Sequence, residues 1–279
     1  MQKLKYKQHF SAAQKAIVLG LSLIAFIVVI PYILMLLSSF RTTSEMMKNP
    51  SVIFPIQWTL SGYVKVFSRA PIIRWFLNSL TITGSVTLAV LFTSTITGFV
   101  FAKYRFRFKE TLFWILLATM MIPSQVTMIP SFLIINFLGW YNTLNALIIP
   151  GMVSVFGIFL ARQFISEVPD SLCEAALIDG CSNLGLYFRV ILPQIRPAVS
   201  ALAIFTFLGT WNDYLGPLIM LSDVERMTLP LALTIFNTNH SMDLGATMSA
   251  ATLVMLPVIV VFLMFQKQFI KGISITGMK

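Results

Sequence analysis

Charge, cysteine and histidine are all scarce in this chain of 279 residues. Charged residues make up 11% of it, whereas soluble domains carry about 25%. The two cysteines, Cys173 and Cys181, fit no zinc-binding spacing, and His9 and His240 stand in separate hydrophilic segments where we expect them to be solvated. We therefore expect no metal site, and we interpret both cysteines as reduced, unreactive thiols.

The motifs of nucleotide binding and of common hydrolytic chemistry are also missing. No GxxxxGK[ST] phosphate loop occurs, so we do not expect this chain to bind ATP through that motif, and no H-E-x-x-H is present. An intramembrane enzyme would need a nucleophile and base, or metal ligands, on facing spans. Asp213 is the one acidic residue within the spans predicted below, so we expect a non-catalytic protein.

Apolar residues make up 57% of the chain, and several runs without charge exceed the roughly 20 residues that cross a bilayer. We predict an all-α membrane protein with six transmembrane helices, forming a single permease domain over residues 1–279. The first apolar run is too long for a cleaved signal peptide, so we expect it to remain as a membrane anchor. The predicted spans are 16–40, 75–102, 111–135, 144–162, 198–221 and 245–267, with a polar loop at 163–197.

The formal charge of +10 could suggest nucleic acid as a partner. The basic residues instead lie in short loops beside apolar spans, as the positive-inside rule expects for a partner that is the lipid bilayer. With the amino terminus inside, the inner segments hold more than twice as many Lys and Arg residues as the outer ones. We therefore predict that both termini face the cytoplasm and expect no nucleic acid partner.

Prolines inside the predicted spans are frequent, and the third span holds two, Pro123 and Pro130. Polar Ser124, Gln125 and Thr127 lie between them. Each proline removes a backbone donor and can bend its helix. A broken, polar segment within the membrane is typical of a solute path, but a packing kink between neighbouring helices explains the same pattern.

The loop at 163–197 has the pattern of two short helices joined by a turn. Ser171 and Glu174 have the spacing of a capping box, which predicts a helix start at Ser171. Gly180 follows at the position where a helix ends in the left-handed conformation. A second helix is predicted over 184–192, ending before Pro193. Such a projection either docks on a partner or folds back on its own helices.

The same loop carries a family pattern, EAALIDG at 174–180 followed by VILP at 190–193. It resembles the EAA loop of the membrane subunits of ABC-type importers, with Val190 in place of an isoleucine. Across the whole chain the sequence is similar to the smaller, six-span permease subunit of maltose-type carbohydrate importers. Ser39-Phe40-Arg41, Trp211-Asn212-Asp213 and Phe265-Gln266-Lys267 carry that likeness, whereas Ser61-Gly62-Tyr63 and the final Gly277-Met278-Lys279 depart from the family pattern.

The resemblance implies a permease subunit that forms half of the path for a sugar or oligosaccharide, delivered by an extracytoplasmic binding protein. It implies a second homologous permease subunit and two ATPase subunits as partners, in the cytoplasmic (inner) membrane of a prokaryote. ATP and Mg would lie on the ATPase, and this chain would bind no cofactor. The ATPase-docking residues would be Ser171, Glu174, Ala175, Ala176, Asp179, Gly180, Leu192 and Pro193.

Asp213 stands in an aromatic and polar cluster suited to sugars, which offer both hydroxyls and apolar ring faces. Because membrane charges are costly, such a residue is a functional candidate, although a helix-packing network or a hydrated kink above Pro217 would also explain it. The candidate translocation path is Gln125, Asn212, Asp213 and Tyr214. Two other functions remain open: an ion-coupled secondary transporter, which commonly shows internal repeats and several buried ionisable groups, and an ABC importer of a non-sugar solute.

Overall fold

The computed structural model describes residues 11–237 and 243–276, and side chains up to residue 234 and from 243 to 264. His9, His240 and the departing Gly277–Lys279 segment lie outside the described residues. Within these ranges the regular structure is helical, and a π-helical turn at Leu186–Ile191 and a 3₁₀ turn at Val224–Arg226 supplement the α-helices. The α-helices are α1 Ala12–Ser38, α2 Thr43–Lys48, α3 Ser61–Arg69, α4 Ile72–Lys103, α5 Lys109–Thr119, α6 Ser124–Phe137, α7 Asn145–Gly151, α8 Val155–Ser166, α9 Asp170–Ile178, α10 Asn183–Gly185, α11 Leu192–Gln194, α12 Arg196–Trp211, α13 Leu215–Met220, α14 Leu229–Asn237 and α15 Leu244–Thr276.

Four helical stretches among the described residues are long and apolar enough to cross a bilayer, and two bent helix pairs raise that number to six. The four are Ala12–Ser38, Ile72–Lys103, Asn145–Ser166 and Leu244–Met264. The bent pairs are α5 with α6, and Asn183–Gln194 with α12. The all-α class with up to six spans is therefore confirmed.

The third predicted span, 111–135, is not one continuous helix. It divides into α5 and α6, whose axes differ by 95° across the break. Pro123 directly precedes α6 in an extended conformation, and proline lacks the amide hydrogen while disfavouring helix in the residue before it. Pro130 and Pro257, by contrast, lie inside helices. The break predicted around the proline pair therefore arises at Pro123 alone.

The fifth predicted span, 198–221, is also interrupted, which corrects the prediction of a single helix. α12 ends at Trp211 and α13 begins at Leu215, so residues 212–214 stand between two helices. A run without charge before Asp213 satisfies the hydropathy criterion whether or not its backbone is continuous. For that reason hydropathy did not reveal the break.

The described residues form two compact units. The first unit comprises the described residues within 1–69 and 236–252, and the second comprises those within 70–235 and 253–279. In the first unit, Arg41 is 3% exposed and donates to Glu45 Oε1 at 2.8 Å and to the carbonyls of Val52 and Asn49. A buried guanidinium with this many partners is satisfied, so we interpret it as a structural group of the first unit. The single domain over 1–279 stays a prediction.

In the second unit, α4 packs against α7, α8 and α12. Glycines permit the close approach of α4 and α8. A Cβ added at Gly98 would lie 2.6 Å from the Cβ of Ala161, and one added at Gly157 would lie 2.3 Å from Ser94 Oγ. Small residues at such crossings let two membrane helices pack backbone to backbone. α4 thus becomes the central helix on which the loop at 163–197 is held.

Candidate coupling loop and solute path

The first helix of the loop, α9, starts earlier than predicted. It begins at Asp170, follows Pro169 at the N-cap, and has no side-chain capping hydrogen bond. The capping box of Ser171 and Glu174 is therefore wrong, because Ser171 is the second residue of the helix. The fixed φ of Pro169 and the acidic Asp170 in the first turn provide an alternative helix start.

Lys103, the last residue of α4, holds the start of this helix. Its Nζ donates to the carbonyl of Val168 at 2.5 Å and to Asp170 Oδ1 at 2.6 Å. The Lys103 side chain is only 10% exposed, although that of Asp170 is 80% exposed. The hydrogen bond from Lys103 holds the pKa of Asp170 below its ordinary value. The end of α4 and the start of α9 are thereby joined.

The end of α9 matches the prediction for Gly180. This residue has a φ of +81°, which is in the left-handed region that glycine adopts without strain. The Cys181 amide donates to the Ala176 carbonyl and the Gly180 amide to the Leu177 carbonyl, both at 3.0 Å. These two bonds form a Schellman motif that turns the chain sharply after the helix.

One face of α9 is anchored and the other is exposed. Cys173 is buried, and burial raises the pKa of its thiol, in keeping with an unreactive side chain. Both cysteines are free thiols. Glu174 and Ala175 are exposed, and Ile178 is 85% exposed. The exposed residues of α9 thus include a carboxylate and apolar side chains.

The second half of the loop differs from the prediction of a helix over 184–192. Helical backbone runs from Asn183 to Gln194 with the π turn in its middle, so Pro193 lies inside it. Pro193 lies in α11, which directly follows the π turn. Tyr187 in the π turn is 2% exposed, and its hydroxyl shares a 2.7 Å hydrogen bond with Thr95 of α4. α4 therefore holds the loop at two points.

The candidate solute path lies at the break in the fifth span. Trp211 is 1% exposed, donates from Nε1 to the Val254 carbonyl at 3.2 Å, and packs against the rings of Phe76 and Phe207. Asn212, Asp213 and Tyr214, which follow it, are exposed. Trp211 thus fixes the end of α12, and the next three side chains are exposed directly after it.

These three residues line a cavity of about 590 Å³ with the polar face of α6. Two broken spans of the second unit therefore meet at one space, which is lined by both polar and apolar side chains. Gln125 is not among the lining residues, whereas its neighbour Ser124 is. Ser131 also lines it and was missed, because one serine in an apolar run carries no signal of its own. Asp213 has a local role as well, since its Oδ1 accepts from the Gly216 amide at 3.2 Å.

Comparison with known proteins identifies the family. The profile described as "Binding-protein-dependent transport system inner membrane component" matches residues 94–275. The arabinooligosaccharides transport system permease protein AraQ of Halalkalibacterium halodurans is 33% identical over 94% of this chain and 95% of its own length. The lactose transport system permease protein LacG of Rhizobium radiobacter is 31% identical over 90% of this chain and 91% of its own.

A solved structure shares the fold. It is described as a bacterial ABC transporter involved in the import of the acidic polysaccharide alginate. The match has a TM-score of 0.81 and 21% identity, and it covers 93% of this chain and 99% of the other. Together with the profile match over residues 94–275, these similarities show that the chain belongs to the family of inner membrane components of binding-protein-dependent transport systems.

Proposed function

We propose that this chain is a permease subunit of an ABC importer for a sugar or oligosaccharide. The observation that carries the proposal is the similarity, over at least nine-tenths of the chain, to permease proteins named for arabinooligosaccharide and lactose transport. The cavity between two broken spans, which is lined by both hydroxyls and apolar side chains, supports it. Sugars present hydroxyls and apolar ring faces, and the hydroxyls of Ser124 and Thr127 beside Tyr214 suit both.

The complete importer would contain a second homologous permease subunit, two ATPase subunits and an extracytoplasmic binding protein. ATP and Mg would bind to the ATPase subunits, and this chain would supply neither a cofactor site nor a catalytic group. The location would be the cytoplasmic (inner) membrane of a prokaryote, with both termini inside. The excess of Lys and Arg in the inner segments supports that orientation.

The loop at 163–197 would be the lever through which ATP drives transport. ATPase subunits that close on ATP would pull α9, and Lys103 and Tyr187 would pass that movement to α4. Because α4 packs closely on α8 and α12, the second unit would respond as a packed body rather than by bending locally. The permease would thereby switch from an inward-open to an outward-open state.

The docking surface would include the exposed Glu174, Ala175, Ile178 and Asp179, with Gly180 setting the turn. In Gly180→Asp, a side chain with a β-carbon is forced into a φ of +81°, which strains the turn after α9. We expect the variant to reach the membrane but to lose transport by at least ten-fold while the partner ATPase still hydrolyses ATP. Uptake in proteoliposomes, measured beside phosphate release, checks this.

Gly139→Asp is the matched control, because Gly139 also has a positive φ, +71°, and open space around its added Cβ, but lies between α6 and α7. Normal transport by Gly180→Asp would contradict the lever.

The function itself is tested by purifying the tagged chain from its native membrane in mild detergent. Recovery of an ATPase and a second permease supports it, whereas recovery of the chain alone, with transport driven by an ion gradient, would overturn it.

A further inference from the structure

A link of five residues, 104–108, joins α4 to α5, and the helices on either side place it at the membrane surface. α4 has 32 residues and thus a length of about 48 Å, close to the thickness of a bilayer with its headgroups. Its last residue, Lys103, therefore stands at headgroup level. α5 opens the next candidate span at Lys109. The link at 104–108 must accordingly run along the membrane surface.

The link at 104–108 is too short to project far from the membrane. Five extended residues span about 17 Å, so a link that leaves the surface and returns to it reaches about 8 Å. The headgroup layer on one side of a bilayer is about 5–8 Å deep. The side chains of the link therefore lie among lipid headgroups, whereas the much longer loop at 163–197 can reach beyond that layer.

Two acidic groups beside the link already have basic partners. Asp170 accepts from Lys103 at 2.6 Å, and Glu110 accepts from Arg162 Nη2 at 2.8 and 2.9 Å. The pKa of Asp170 is lowered chiefly by Lys103 and more weakly by Arg105. Neither carboxylate forms an ion pair with an arginine of the link. Both acids are therefore committed to other cations.

Arg105 and Arg107 are exposed, and the side chain of neither forms an ion pair or a hydrogen bond within the part of the chain that the structure describes. Lys109 differs, because it is only partly exposed and its Nζ donates to the Ala102 carbonyl at 3.4 Å. A guanidinium can donate two parallel hydrogen bonds to a phosphate. The link thus offers two unpaired cations of the kind that binds phosphate groups at an anionic membrane surface.

Phe108 provides the apolar part of the link. Its side chain is 62% exposed, and the guanidinium of Arg107 lies 4.8 Å from the centre of its ring. Its φ of +62° is in the left-handed region, which is unfavourable for a residue with a Cβ and which glycine adopts freely. The turn by itself therefore does not require a phenyl ring. Phe106 instead holds the link to α4, because its ring packs against that of Phe101, with centres 5.7 Å apart.

We propose that the link at 104–108 binds an anionic phospholipid at the membrane surface. Arg105 and Arg107 donate hydrogen bonds to the headgroup phosphate, and the Phe108 ring lies at the boundary between headgroups and acyl chains, where aromatic side chains are favoured. A lipid with net negative charge binds more tightly than a zwitterionic one because two arginines are unpaired. The lipid holds the end of α4, whose Lys103 holds the start of α9. This binding does not depend on the nature of the cargo.

The test is native mass spectrometry of the purified full chain in mild detergent, titrated with phosphatidylglycerol or with zwitterionic phosphatidylcholine. We expect wild type to bind phosphatidylglycerol at least five-fold more tightly than phosphatidylcholine. The double variant Arg105→Gln/Arg107→Gln should lose at least five-fold in affinity for phosphatidylglycerol and keep its affinity for phosphatidylcholine within two-fold of wild type.

The matched control is Arg189→Gln/Arg196→Gln, because it removes the same charge from two exposed arginines of the loop at 163–197. We expect this control to keep its affinity for phosphatidylglycerol within two-fold of wild type. An equal loss of affinity in both double variants would show a general effect of charge and would overturn the proposal.

Phe108→Gly separates the lipid contact from the conformation of the link. Glycine suits the φ of +62°, so without added lipid the variant should unfold at the same temperature as wild type or at a higher one. We expect its affinity for phosphatidylglycerol to fall at least three-fold because the ring is lost. Unchanged affinity in this variant or in Arg105→Gln/Arg107→Gln would overturn the proposal. Loss of a co-purifying ATPase by the arginine variant, with lipid binding unchanged, would assign the link to protein docking instead.

Discussion

At the scale of single residues, Lys103 carries much of the connection between α4 and the loop at 163–197. Its charge is nearly buried, and it is shared between the Val168 carbonyl and the Asp170 carboxylate. Removing Lys103 would leave the Val168 carbonyl without this donor, and a polar group that loses its partner destabilises the fold. A change at this one position should therefore loosen the start of α9 without disturbing the packing of α4.

We expect Lys103→Met to weaken transport at least five-fold and to increase hydrogen exchange at the amides of α9. Methionine retains the length and the apolar stem of lysine but cannot donate to Val168 or Asp170. The check is hydrogen exchange by mass spectrometry together with uptake. Lys109→Met is the control, because Lys109 begins α5 and reaches only the Ala102 carbonyl, at 3.4 Å. Equal protection of the α9 amides from exchange in both variants would contradict the role of Lys103 in holding the start of α9.

The lowered pKa of Asp170 predicts how acid affects the same contact. The hydrogen bond from Lys103 lowers this pKa from its ordinary value of 3.8, so the carboxylate favours the folded loop above that value. The contribution is lost as pH falls through the depressed pKa, and it is small because the side chain is 80% exposed. We expect wild type and Asp170→Asn to differ in α9 exchange at pH 6 and to converge at a lower pH, once the Asp170 carboxyl is protonated. A difference that persists at the lower pH would contradict this assignment.

At the scale of elements, the crossing of α4 and α8 decides whether the second unit can transmit movement. Gly98 and Gly157 face Ala161 and Ser94 across it at distances that leave no room for a Cβ. Forcing an extra methyl group into such a contact costs about 1–3 kcal/mol, which exceeds the gain in helix propensity of about 1 kcal/mol from Gly to Ala. The crossing is therefore intolerant of changes that a free helix would accept.

We expect Gly98→Ala to lower the midpoint of thermal unfolding in detergent by a few degrees. Gly84→Ala on the same helix serves as the control, because its Cβ meets nothing within 4 Å and it gains the helix propensity without a clash. Fluorescence-detected unfolding of the two purified proteins compares them directly. A Gly98→Ala protein as stable as Gly84→Ala would show that α4 and α8 separate easily.

At the scale of the whole molecule, the unequal distribution of Lys and Arg over the loops predicts which side each loop faces. The dense group at 103–109 reaches from the end of α4 to the start of α5, and the loop at 163–197 follows α8. Both should lie inside, where the ATPase subunits would meet the loop. The first outer loop also holds several cations, so this prediction is worth a direct measurement.

We expect a green fluorescent protein fused after Lys279 to fluoresce and an alkaline phosphatase at the same position to be inactive, because the carboxyl terminus is predicted to lie inside. Fusions at Asn49, between α2 and α3, should behave in the opposite way. The same pattern at both positions would contradict the predicted orientation.

Much of the helical architecture could be predicted because apolar runs and their flanking charges are local properties. The turn at Gly180 was predicted for the same reason, since a left-handed glycine after a helix is a local feature. The capping box at Ser171 failed because Pro169 and Asp170 offered a competing start that the Ser-to-Glu spacing did not exclude. The continuous fifth span failed because hydropathy does not register a break in the backbone, whereas the prolines of the third span had signalled its break.

The sequence by itself determined the membrane class, the absence of a phosphate loop and the position of the family motif, because composition and spacing are carried by neighbouring residues. The tertiary structure decided which side chains meet. Lys103 reaches Asp170, Tyr187 reaches Thr95, and Asp213 lines one cavity with Ser124 only after helices distant in the chain have packed. Contacts across such separations depend on how backbones approach at positions such as Gly98, and no local pattern specifies that approach.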